Sequence, residues 1–236
     1  MCGVYLEDTE KWILNFKSCD YTNRLLDKVI LKNQKAAKRV DVDLVKKAIY
    51  YARKYHGSQL RQSGEPYYTH PLEVAYMVSD YLFNTDAIVV SILHDTIEDT
   101  DLSRDMIAQL FGEKVANQVD DLTRDKSFGK ISAAEMVEIL WQAKKYDVLL
   151  IKLFDRLHNI KTIAAKSPEK AQKIINETLK YFLVLSEMLE LPSLSDHLYK
   201  ECYNANIKSG LIDEDYFFFS KHSELPDLPI FESEIN

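Results

Sequence analysis

The segment His94-Asp95-Thr96-Ile97-Glu98-Asp99 carries four side chains that can bind a metal or exchange a proton. It follows directly on the apolar run AIVVSIL. In a continuous helix, residues four apart are neighbours, so His94 lies beside Glu98 and Asp95 beside Asp99. A solvated, acidic helix end is the plain alternative. However, acidic groups at a helix C-terminus oppose the macrodipole, and this mismatch favours a functional role.

A second polar group follows another apolar run, VLLIKLF. Asp155, Asn159 and Thr162 are spaced by four and three residues and form one helical stripe. His70 precedes Pro71, a residue typical of a first helical turn. Together with the His94-Asp95 pair, these residues offer two imidazoles and two carboxylates. This mixture suits a divalent Mn, Fe, Zn or Mg ion with open positions.

Such an ion holds phosphate oxygens and lowers the pKa of a bound water, and a nearby carboxylate can take the water's proton. Arg61 lies nine residues before His70, ahead of a Gly64-Glu65-Pro66 turn. A guanidinium beside a metal is the expected partner of a diphosphate. Plainer roles are also open: Arg61 as a surface cation, and Asp155 as the ion-pair partner of Arg156 or Lys152.

The elements that position these residues are helices. Glycine and proline occur only six times each, and apolar residues recur mostly at spacings of three and four. Caps and stops predict helices from Asp41 or Asp43 to about Tyr55, from Pro71 onward, and from Thr85 or Asp86 through Asp99 as a single helix. We expect an all-α domain over residues 39–205, with an N-terminal extension, 1–38, and a C-terminal tail, 206–236.

Composition limits the function classes. The 236-residue chain has a net charge of −7 and a pI near 5.4, which argues against a nucleic-acid partner. No apolar run approaches the ~20 residues of a membrane span, and the first residues are acidic where a signal peptide is apolar. Three widely spaced cysteines indicate neither a disulfide framework nor a cysteine zinc site. We expect a cytoplasmic protein without a membrane partner.

Four motifs in order carry a family resemblance: YARKYHGSQLRQSGEPYYTHP, ILHDTIEDT, LTRDK and KLFDRLHNIKT. From about residue 40 to 203, the chain resembles the hydrolase domain of the RelA/SpoT-type alarmone enzymes. These enzymes are members of the HD metal-dependent phosphohydrolase superfamily. The resemblance implies an HD-domain helical bundle with a metal site between helices. It also implies removal of pyrophosphate from the 3′ position of guanosine tetra- or pentaphosphate, giving GDP or GTP.

The resemblance also implies residue roles. One Mn²⁺ ion would be held by His70, His94, Asp95 and Asp155. Glu98 and Asp99 would position and activate water. The guanine nucleotide would be bound by Arg61, Gln62, Ser63, Asn159, Thr162 and Tyr181.

There are departures from the family pattern. Gln62 stands where a basic residue is common, which puts affinity or substrate choice in question, and Phe154 stands where a small residue is common. Tyr181 is as compatible with core packing as with nucleotide contact. The residues after 203 are too few for a second nucleotide-binding domain, so we expect hydrolysis without synthesis. The extensions suggest a possible homo-oligomer.

Two alternatives stay open at this point. Small family members resemble this chain in length, and some remove the 2′-phosphate of NADPH; the Gln62 departure makes that substrate a candidate. The chain could also be an inactive alarmone sensor. Sensors usually lose a ligand or an acid, whereas all of these residues are present here.

Overall fold

The computed structural model describes residues 11–126 and 129–208. Thirteen α-helices occur in these ranges, which confirms the all-α prediction. Their bounds are α1 Lys11–Asn15, α2 Asp20–Asn33, α3 Val42–His56, α4 Thr69–Val78, α5 Thr85–Leu93, α6 Thr96–Asp99, α7 Arg104–Phe111, α8 Glu113–Leu122, α9 Ala133–Gln142, α10 Tyr146–Lys161, α11 Pro168–Glu177, α12 Leu183–Met188 and α13 Pro192–Lys208.

Two short segments of other helical type connect these elements. A 3₁₀ turn, Ile163–Ala165, follows α10, and a π-helical segment, Thr178–Phe182, joins α11 to α12. The sequence pattern does not predict the two-residue strands β1 (Asp125–Lys126) and β2 (Gly129–Lys130). They pair antiparallel, with Asp125 opposite Lys130. Arg124 of the LTRDK motif directly precedes β1 and lines the cleft described below.

Helices α5 and α10 form the centre of the molecule. Every residue of α5 from Ala87 to Leu93 is buried, and α10 is buried without interruption from Val148 to Asp155. Both helices pack on α4 and α8, and α5 also packs on α3. Apolar residues make up most of these buried stretches, and the polar residues that line the cleft, Asp95, Asp155 and Asn159 among them, follow at their C-terminal ends.

Side-chain caps fix where the surrounding helices begin. Asp41 Oδ1 accepts hydrogen bonds from the backbone amides of Asp43 and Leu44, as the sequence predicts for α3. Asn84, rather than Thr85 or Asp86, caps α5, through a 2.9 Å bond from the Ala87 amide to Asn84 Oδ1. The predicted start near Pro71 is two residues late, since α4 begins at Thr69.

The predicted single helix from residue 85 to 99 is wrong, because the chain breaks at Asp95 into α5 and α6. The Thr96 hydroxyl donates to the Leu93 carbonyl at 2.6 Å, and His94 Nδ1 contacts the Ser91 carbonyl at 2.8 Å. These side chains satisfy carbonyls that a continuing helix would use. Glu98 therefore lies in the first turn of α6, and the macrodipole argument for function does not hold.

The chain before residue 39 shares the core of the domain. Leu25, Leu26 and Val29 of α2 are buried in the main apolar cluster, and α2 packs on α3 and α4. At the other end, α13 continues past residue 205 to Lys208, and the rest of the predicted tail lies outside the described residues. In the part of the chain that is described, no helix has the length and apolar character needed to cross a bilayer.

Candidate metal centre and cleft

Four of the predicted site residues meet between α4, the α5–α6 junction and α10. His70 Nε2 lies 3.1 Å from Asp155 Oδ1 and 3.5 Å from Asp95 Oδ2. His94 Nε2 lies 3.0 Å from Asp95 Oδ1 and 3.7 Å from Asp155 Oδ1. His70, His94 and Asp155 are buried, and the Asp95 side chain is 20% exposed. We call these four residues the ligand cluster.

The donor set of the ligand cluster fits a divalent cation. His94 Nδ1 faces the Ser91 carbonyl, which can only accept, so Nδ1 carries the hydrogen and Nε2 presents a lone pair. This buried Nε2 has no hydrogen-bond partner among the described residues. Imidazole nitrogens and carboxylates converging within a buried site require a positive charge between them.

Without a metal, a proton supplies that charge. Burial disfavours a charged His94, but the Asp95 and Asp155 carboxylates outweigh it and raise the pKa of His94 to about 10. Burial alone raises the pKa of the Asp155 carboxyl, yet Lys152 and the two histidines hold it well below its usual range. Lys152 Nζ lies 2.8 Å from Asp155 Oδ2. The ion pair with Lys152 uses Oδ2 of Asp155, and Oδ1 is the oxygen that faces His70.

Asn159 links the ligand cluster to Arg61. Its amide nitrogen donates to Asp155 Oδ1 at 2.7 Å, and its oxygen accepts from Arg61 Nη2 at 3.1 Å. Arg61 Nη2 also lies 3.3 Å from Thr162 Oγ1. The structure therefore brings together Arg61, Asn159 and Thr162. These are three of the residues that the family resemblance assigns to phosphate and nucleotide contact.

The other three predicted nucleotide contacts are less well supported. Gln62 and Ser63 are exposed on the turn after Arg61. Tyr181 lies in the π-helical segment and is partly buried against the main core, so its packing role is the one that the structure shows. It does not line the cleft described next.

A cleft of about 320 Å³ opens above the ligand cluster. Four cationic side chains line it, and three of them have an acidic partner. Arg124 contacts Glu98, Lys152 contacts Asp155, and Arg156 contacts Glu177. The fourth is Lys166, which has no ion-pair partner within 4.0 Å among the residues of the described ranges.

Glu98 and Asp99, the acidic pair, lie at the mouth of this cleft and differ in surroundings. Lys130 Nζ and the Arg124 backbone amide contact the Glu98 carboxylate at 2.8 and 3.2 Å. Burial raises the pKa of Glu98, but these groups outweigh it and the net shift is downward. Within the described residues, the Asp99 carboxylate accepts one side-chain hydrogen bond, from the Tyr67 hydroxyl at 2.7 Å. Burial, together with the neighbouring carboxylates, outweighs the lowering by Tyr67 and raises the pKa of Asp99.

Sequence reasoning overlooked two residues that contact the cluster. Tyr67 lies 3.2 Å from Asp95 Oδ2 as well as bonding Asp99, and burial raises the pKa of its hydroxyl. His158 Nδ1 lies 2.8 Å from His70 Nδ1. His158 is three residues after Asp155, so helical spacing places it on the same face and could have identified it. Tyr67 precedes His70 by three residues but lies before α4, where spacing gives no such signal.

Comparison with known proteins identifies the family of the chain. The profile of the family described as HD domain matches residues 48–190, more than half of the chain. The GTP pyrophosphokinase of Myxococcus xanthus is 38% identical over 167 residues, 67% of this chain and 22% of that protein. The guanosine-3′,5′-bis(diphosphate) 3′-pyrophosphohydrolase of Aquifex aeolicus is 38% identical over 160 residues, 65% of this chain and 23% of that protein.

The chain thus spans about a fifth of the length of these curated relatives. A solved structure described as "A metazoan ortholog of SpoT hydrolyzes ppGpp and plays a role in starvation responses" aligns with a TM-score of 0.47. It is 21% identical and covers 76% of this chain and 96% of that one. The family profile and the relatives confirm the resemblance that the four motifs indicate. The chain belongs to the HD domain family.

Proposed function

We propose that this protein hydrolyses guanosine 3′,5′-bis(diphosphate), and its pentaphosphate form, to GDP or GTP and pyrophosphate, with Mn²⁺ as cofactor. The observation that carries the proposal is the convergence of two imidazole Nε2 atoms and two carboxylates at the floor of a cleft lined by acids and cations. The names of relatives similar to the chain over its motif-bearing region support the choice of substrate.

In this proposal His70, His94, Asp95 and Asp155 hold the ion. When bound, Mn²⁺ supplies Lewis acidity to phosphate and water oxygens. The mixture of two nitrogen and two oxygen donors suits several divalent ions, and we choose Mn²⁺ among them because the four motifs resemble those of the RelA/SpoT-type hydrolases.

The protein's own residues divide the remaining work. Arg61 binds phosphate oxygens, with its guanidinium oriented by Asn159 and Thr162. Asp99 accepts a proton from the attacking water, because its raised pKa and single hydroxyl partner suit proton exchange. Glu98 stays ionised beside Lys130 and Arg124 and holds the hairpin at the cleft mouth.

The bonds that change are these. The oxygen of water bonds to the phosphorus attached to the 3′ oxygen, and the bond between that phosphorus and the 3′ oxygen breaks. Pyrophosphate leaves, and the 3′ oxygen ends as a hydroxyl after gaining a proton. Pre-aligned donors and a fixed acceptor lower the barrier because they need no reorganisation during the reaction.

Product analysis tests this proposal. The full chain with Mn²⁺ is incubated with guanosine tetraphosphate or with NADPH, and nucleotides and released phosphates are separated by ion-exchange chromatography. We expect equimolar GDP and pyrophosphate from the tetraphosphate. Phosphate release from NADPH at a higher kcat/KM would replace the alarmone by NADPH as substrate, and tight alarmone binding without products would indicate a sensor. The same preparation, given ATP and GDP, tests the prediction that the chain does not synthesise alarmone.

A further inference from the structure

His158 contacts the ligand cluster through His70 and does not itself line the cleft. Its Nδ1 lies 2.8 Å from His70 Nδ1 and 3.4 Å from Arg61 Nη1. The two imidazole rings are tilted by 52° with their centroids 4.7 Å apart. The two nitrogens lie at hydrogen-bond distance, so one nitrogen must donate and the other must accept.

The partners decide which nitrogen donates. An arginine guanidinium offers donors only, so the His158 nitrogen that faces Arg61 serves as an acceptor. The hydrogen between the two imidazoles therefore belongs to His70 Nδ1. A neutral imidazole with its hydrogen on Nδ1 has its lone pair on Nε2, and His70 Nε2 is the atom that faces Asp155 and Asp95.

We propose that His158 is a positioning residue that holds His70 in the tautomer and ring orientation needed to bind a divalent cation through Nε2. This inference rests on the proposed metal site. It makes the two histidines of the ligand cluster equivalent, since each has an acceptor 2.8 Å from Nδ1. For His94 the acceptor is the Ser91 carbonyl, and for His70 it is a side chain, which substitution can remove.

Outer partners of metal-binding histidines are worth about 10- to 100-fold in metal affinity. The test uses two variants of His158. In His158→Asn the amide oxygen occupies nearly the position of Nδ1, and in His158→Leu the side chain has nearly the shape of asparagine but no acceptor. The dissociation constant for Mn²⁺ is measured from the free Mn²⁺ signal in electron paramagnetic resonance, without substrate. We expect His158→Leu to weaken Mn²⁺ binding about 10- to 100-fold and His158→Asn to stay close to the parent.

Equal Mn²⁺ affinity in the parent and His158→Leu would overturn the inference, as would an equal loss in the Asn and Leu variants, which would indicate packing alone. If His158→Leu fails to fold by circular dichroism, His158→Gln replaces it, because its amide lies beyond the Nδ1 position. Equal affinities of the Asn and Gln variants would then overturn the inference.

Arg61→Gln is the control for the second contact of His158. Arg61 keeps its bonds to Asn159 and Thr162 without His158, so we expect Arg61→Gln to raise KM without changing Mn²⁺ affinity. A parent protein that binds no Mn²⁺ would contradict the proposed function itself and remove this inference with it. A parent that binds Mn²⁺ no more tightly than His158→Leu would contradict the inference alone.

Discussion

The ligand cluster is enclosed by packed helices, whereas the acidic pair, three and four residues beyond Asp95, lies at the cleft mouth. His94 is only 2% exposed, and its Nε2 has no hydrogen-bond partner among the described residues. Glu98, in contrast, contacts the cationic side chains of Lys130 and Arg124. Imidazoles and carboxylates converge on one another in the ligand cluster, whereas one acid of the pair faces two cationic side chains.

This difference assigns different tasks to neighbouring carboxylates. A buried set of imidazoles and carboxylates attracts a cation strongly, because water cannot screen the charges. A partly exposed carboxylate exchanges protons with water more readily. We therefore expect substitutions in the ligand cluster to change metal binding and substitutions in the acidic pair to change turnover.

The largest expected effect comes from Asp155→Ala. Removal of a direct ligand also leaves Lys152 without its buried partner, so we expect Mn²⁺ affinity to fall by more than the ~100-fold that an outer partner can account for. Mn²⁺ titration by electron paramagnetic resonance measures this loss. Asp105→Ala is the matched control, because Asp105 is 86% exposed on α7 and lies outside the cleft. An Asp155→Ala protein that binds Mn²⁺ as tightly as this control would contradict the assignment of Asp155 as a metal ligand.

Asp99→Asn is expected to have the next largest effect. The amide keeps the size of the side chain but cannot take a proton, so kcat should fall about 10²- to 10⁴-fold while Mn²⁺ affinity stays unchanged. Single-turnover kinetics with saturating Mn²⁺ measure the change. A loss of Mn²⁺ affinity parallel to the loss of kcat would place Asp99 among the metal ligands instead.

Glu98→Gln tests whether the two acids of the pair contribute differently to turnover. Because Glu98 is already held by Lys130 and the Arg124 amide, we expect a smaller decrease in kcat than for Asp99→Asn, again with metal retained. The same kinetics on both variants give the ratio. A larger loss for Glu98→Gln than for Asp99→Asn would exchange the roles that we assign.

The pH dependence of metal binding tests the ligand cluster without substitution. In the metal-free protein the pKa of His94 is raised to about 10, so its proton must leave when Mn²⁺ binds. Mn²⁺ affinity should therefore rise with pH, by about tenfold per pH unit for one displaced proton, and level off only near pH 10. Calorimetry between about pH 6 and 8, in buffers of different ionisation enthalpy, counts the proton. An Mn²⁺ affinity independent of pH in this range would contradict the release of a His94 proton when Mn²⁺ binds.

The smallest expected effect is that of Lys166→Met. Lys166 lines the cleft without an acidic partner among the residues described, and burial together with Arg61 lowers its pKa. We expect it to contact a substrate phosphate, so its loss should raise KM about tenfold, the cost of one charge-assisted hydrogen bond. Lys166→Arg should restore most of the affinity. Steady-state kinetics with a changed kcat and an unchanged KM would exclude this contact.

Part of the candidate site could be predicted from residue types and their spacing. The Asp155–Asn159–Thr162 stripe follows from helical geometry, since α10 and its C-cap hold these residues in register. The ligand cluster joins three separate segments, and its membership is predicted from the family resemblance. Arg61 could be placed only because its motif resembles a known family, as it lies on a turn whose path spacing does not determine.

Other features depend on contacts between distant segments and could not be predicted. The break between α5 and α6 depends on the His94 and Thr96 side chains bonding backbone carbonyls, which no periodicity reveals. The Arg124 amide and the Lys130 side chain reach Glu98 only because the chain around β1 and β2 folds over it. These two contacts join residues 26 and 32 positions apart in the sequence. The contact of Tyr67 with Asp99 is of the same kind.

The most direct test of the central claim is pyrophosphate release from guanosine tetraphosphate by the full chain, with and without Mn²⁺, beside Asp155→Ala. Inorganic pyrophosphate is measured by a coupled enzymatic assay, with Asp105→Ala as control. We predict release that requires Mn²⁺, that the control retains and that Asp155→Ala lacks. No release by a parent protein that binds both Mn²⁺ and the nucleotide would contradict the proposed hydrolase.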